Sequence, residues 1–96
     1  MHTATATVNA GMTDARGKML GYRIVVDKLP ASHPTAPDTY FHRLVYLKNG
    51  RPQATPMQCG YDHGFLTVEE ALESGQNAAH FMIENVLRAT YFVKFL

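Results

Sequence analysis

The chain has 96 residues, 46% of them hydrophobic and 18% charged, with a formal net charge of +1 at pH 7. That length makes one small domain, and that hydrophobic content excludes a disordered chain. The near-neutral balance, with Lys and Arg scattered along the chain, gives no electrostatic case for nucleic acid or an anionic membrane.

Residues 1–17 are rich in Thr, Ala and Gly and read as lacking a periodic apolar pattern. A segment that buries so little does not offset its ordering entropy. A flexible N-terminal tail over residues 1–17 is therefore expected, followed by a single domain over residues 18–96. The same stretch lacks the apolar core of a signal peptide, and no run approaches the ~20 apolar residues that span a bilayer.

Residues 20–26 alternate with period two, Leu20, Tyr22, Ile24 and Val26 on one side, and predict a first strand. Pro30, Pro34 and Pro37 then force a loop, readable as a stiff connector or as a binding loop. Residues 40–48, dense in β-branched and aromatic side chains, predict a second strand. Asn49-Gly50 is a strong two-residue hairpin signal, and residues 52–59 predict a third strand. Pro52 and Pro56 lack an N–H and place that strand at a sheet edge.

The hairpin implies a register. Lys48 faces Arg51, Leu47 faces Pro52 and Tyr46 faces Gln53; continued without a break, Leu44 meets Thr55, His42 meets Met57 and Tyr40 meets Cys59. After a turn at residues 60–64, Thr67 is a good N-cap, with Glu70 three residues on completing a capping box. Val68, Ala71, Leu72, Gly75, Ala79, Met82, Ile83, Val86, Leu87 and Thr90 then form one stripe at helical spacing. The apolar ending, residues 91–96, fits either the last helical turns or a further short strand.

These elements predict an α+β domain: a three-stranded antiparallel meander with one long C-terminal helix packed on one face. The second strand is apolar on both faces, so both should be covered at least in part. A second copy of the chain is one way to cover the face the helix leaves, which predicts a homodimer with Tyr40, Leu44, Tyr46, Phe92 and Phe95 as interface candidates. The proline loop, or a fold-back of Phe92, Phe95 and Leu96, is the alternative.

Chemistry is thinly written here. No glycine-rich phosphate loop and no nucleophile elbow occur, and no cofactor is implied. The single cysteine, Cys59, excludes an internal disulfide and points to a cytoplasmic protein. The assumed register places His42, Met57 and Cys59 on one face, so His42, Cys59 and His63 make a conceivable metal or small-ligand site, although isolated Cys and Met are commonly packing residues.

Gly21-Tyr22-Arg23-Ile24 and the segment from Phe65 through Gly75 resemble those of short, uncharacterised proteobacterial proteins of βββα layout. The resemblance implies a fold and no activity, so it transfers no catalytic residue. The expectation for function is a small, non-enzymatic, homodimeric protein-interaction module, with neither nucleic acid nor membrane as partner.

Overall fold

The computed structural model describes residues 2–58 and 64–88. Four strands, β1 (His2–Thr13), β2 (Met19–Leu29), β3 (Thr39–Lys48) and β4 (Arg51–Gln58), form one antiparallel sheet in the order β1-β2-β3-β4. Helix α1 (Val68–Met82) packs across β1, β2 and β3 and continues into a π-helical segment, Ile83–Leu87. The α+β class and the C-terminal helix follow the sequence expectation; the sheet has one strand more.

That extra strand corrects the expected tail. Thr3, Thr5, Thr7 and Asn9 are exposed, whereas Ala4, Ala6 and Val8 are half-buried and Ala10 is buried. This is strict period-two alternation, written in residues too small to look hydrophobic. Ala6, Val8, Ala10 and Met12 all pack with the main core. Asp14 closes the β1–β2 connection: its Oδ1 accepts from the N–H of Arg16 at 2.8 Å and of Lys18 at 2.9 Å, and Lys48 Nζ lies 3.4 Å from Oδ2. The Lys18 hydrogen bond above all holds the Asp14 carboxyl below its ordinary pKa.

β2 and β3 pair without a break from Leu20 opposite Lys48 to Leu29 opposite Thr39. The proline-rich connection between them is clipped at its base. Asp38 accepts from the Ala31 N–H at 2.9 Å and pairs with Lys28 Nζ at 3.1 Å. The β3–β4 turn is the one its residues foretell, with φ of 55° at Asn49 and 78° at Gly50. Positive φ at both central residues matches the twist of the flanking strands.

The first three pairs of β3 with β4 fall as expected, Lys48–Arg51, Leu47–Pro52 and Tyr46–Gln53. Beyond them the register slips: Leu44 faces Met57 and Arg43 faces Gln58, where an unbroken hairpin would have paired Leu44 with Thr55. The slip encloses Pro56, which cannot donate to a ladder and belongs at an irregularity. Its step is an even number of residues, so the strand keeps its faces.

The core lies between sheet and helix. Leu20, Ile24 and Val26 have no exposed surface and Leu44 has 1%. From the helix come Ala71, Gly75, Ala79, Ile83 and Leu87, every fourth residue. In an α-helix such a ladder drifts by about 40° per step. The wider π turn at Ile83–Leu87 takes back part of that rotation and keeps Leu87 buried. Small residues at the first three rungs bring the helix close to the strands. Thr67 caps the helix, its Oγ1 accepting from the Glu70 N–H at 3.1 Å. Thr67→Ala should cost about 1 kcal/mol, read as a lower urea midpoint at unchanged slope; no change would deny the cap any role in stability.

Among the described residues no helix is long and apolar enough to cross a membrane.

Candidate functional site

The strand order leaves two outer strands, and their residues differ. β4 carries Pro52 and Pro56, begins at Arg51 and is broken by the register slip. Prolines, charges and irregularities are the usual guards against edge-to-edge pairing. β1 has none of the first two: residues 3–13 contain no proline, Lys, Arg, Asp or Glu. Its pairing with β2 is regular from Ala4 opposite Val26 to Asn9 opposite Gly21, with irregularities only outside that stretch. Gly11, at φ 67°, lies in the second of them. Among the described residues β1 pairs only with β2, so alternate N–H and C=O groups of residues 4–9 turn outward.

The sheet face away from the helix offers less. Val25, Val45 and Leu47 form a second apolar cluster there, at 5%, 8% and 4% exposure. Arg43 stands directly opposite Val25, and its Nε donates to Asp27 Oδ2 at 2.6 Å. Among the described residues no broad apolar patch is open on that side, so they give the expected face-to-face dimer no support.

The interface candidates fall in different places. Leu44 lies beneath α1 in the main core and is closed to any partner. Tyr46 is half-buried on the same face, its ring 5.5 Å from that of Tyr22. Tyr40 is half-buried and exchanges backbone hydrogen bonds with Phe65, each 2.8 Å. The face these residues share is thus the one the helix covers, a correction that the two-sided apolar pattern of β3 could not supply. Phe92 and Phe95 lie outside the described residues. The edge of β2 away from β3 is covered by β1.

The possible metal ligands are not brought together by what the structure describes. Cys59 and His63 lie outside the described residues, and His42 does not face Met57. Among the described residues no three His, Cys, Asp or Glu side chains gather within reach of one ion. His42 is instead part of the helix–sheet seam, 3% exposed, with Nε2 3.1 Å from Ser74 Oγ and its ring 6.0 Å from that of Phe65. Its Nδ1 is buried with no hydrogen-bond partner among the described residues. Desolvation holds the imidazole below its ordinary pKa. A neutral ring with Nε2–H donating to Ser74 suits this position, because it leaves a bare lone pair at Nδ1 and no orphaned donor.

No protein-family model, no curated protein and no solved structure matches this chain.

Proposed function

We propose that this chain is a non-enzymatic protein-interaction module that assembles with a second copy of itself through the outer edge of β1. The observation that carries this reading is the contrast between the two sheet edges: β4 is guarded by prolines and a register slip, while residues 3–13 of β1 are neutral and proline-free. Backbone pairing along such an edge is a general mode of recognition that needs no pocket and no catalytic group. Small side chains along the strand limit the buried area, so the association is weak and concentration-dependent. The lone cysteine fits the reducing cytoplasm as its setting.

Sedimentation equilibrium over a series of protein concentrations tests the reading. The parent chain should move from one-chain to two-chain mass as concentration rises. Thr7→Lys, an exposed position on the outer edge of β1, should raise the dissociation constant at least about tenfold, because it brings two added positive charges together at the joint, directly opposed or diagonal. One-chain mass throughout the series, or a dimer indifferent to Thr7→Lys, would sink it.

A further inference from the structure

Resting on the interaction reading above, we infer that the two copies join antiparallel along residues 4–9 of β1, with the two-fold axis at Ala6 or Thr7. Symmetry gives the geometry. Two identical edges related by a two-fold axis normal to the sheet run antiparallel, and their directly opposed residues point to the same face. Residues that share a face differ by an even number, so the axis passes through a residue and never between two. The regular part of β1 runs from Ala4 to Asn9 and is bounded on both sides by irregular pairing, which leaves Ala6 and Thr7 as its centre.

Either placement aligns like with like. About Ala6, Ala4 meets Val8 on the helix side and Thr5 meets Thr7 on the other. About Thr7, Ala6 meets Val8 and Thr5 meets Asn9. No charged side chain opposes another in either case. Threonine pairs across strands are favourable contacts in their own right. The axis keeps both α1 helices on one side and joins two four-stranded sheets into one continuous sheet.

Single cysteines placed in a Cys59→Ser chain test the register. Thr5→Cys, Thr7→Cys and Asn9→Cys lie at exposed positions on the outer face of β1, and Arg51→Cys reports on the opposite edge. Treatment with a short bis-maleimide should link Thr7→Cys chains at least about tenfold more than Arg51→Cys chains, since pairing raises the effective concentration only at the joint. Equal yields at Thr5→Cys and Thr7→Cys, with little at Asn9→Cys, place the axis at Ala6. A maximum at Thr7→Cys with lower, equal yields on either side places it at Thr7. A two-chain mass with no preferential linkage on β1 overturns both the register and the choice of edge, and leaves only self-association standing. One-chain mass overturns both.

Discussion

Replacing Gly75 by valine should lower the thermal midpoint by roughly 10–20 °C. The cause is contact distance. A Cβ at Gly75 would overlap Ile24 Cγ2 and sit 3.2 Å from His42 Cβ. Ile24 has no exposed surface and cannot step aside. Valine gains only a few tenths of a kcal/mol in helix propensity over glycine. Overpacking a closed core costs about 1–3 kcal/mol, so the steric term wins. A double-mutant cycle isolates the contact. Ile24→Ala alone should cost about 2–5 kcal/mol, and Gly75→Val added to it should cost far less than in the parent chain. Strict additivity of the two changes would show that Gly75 does not serve the close approach of helix and sheet.

The second large effect is a loss of stability in mild acid. Above pH 6.5 the His42 imidazole is neutral in folded and unfolded chains alike, and pH has no purchase on it. Below that value the unfolded chain takes up a proton that the folded chain refuses, because burial has lowered the folded pKa. More protons bound in the unfolded state mean that stability drops as the pH is lowered, by up to about 1.4 kcal/mol per unit for one site, until the folded ring also protonates. Asp14 and Asp38 act in a separate window. Their folded pKa values lie below the ordinary 3.8, so the stability they contribute is present above that value and lost further down. His42→Leu should flatten the slope just below pH 6.5 while leaving the more acidic loss intact. Urea titrations at stepped pH measure both, and a slope that survives the substitution would assign the effect to another group.

Residues with one conformational use were legible in the sequence. Thr67 before Val68-Glu69-Glu70 gave the helix start, Asn49-Gly50 gave the hairpin, and Pro52 and Pro56 gave an edge strand. β1 was missed because its inward residues are chiefly alanine. The signal was present all the same: alternation of Thr with Ala and Val, followed by Asp14-Ala15-Arg16-Gly17, a turn sequence whose aspartate bonds the backbone two and four residues on. Which face of β3 meets the helix could not be read, since Leu44 and Val45 are equally apolar and only tertiary packing separates them. The register slip in β4 was hinted at by Pro56 but not its length. The edge of β1 as a surface for a partner depended on knowing that β1 exists.

The consecutive strand order has a consequence for how the chain is made. Each strand pairs with the one synthesised just before it, so the sheet can assemble in step with translation. The helix that shields Leu20, Ile24 and Leu44 comes after all four strands, and its last buried position among the described residues is Leu87. A nascent chain held on the ribosome therefore presents a finished sheet with one greasy side still bare and a neutral edge beside it. Crowding of neighbouring ribosomes on one message brings such chains together at that stage, when an unguarded strand edge is most exposed to pairing with another chain.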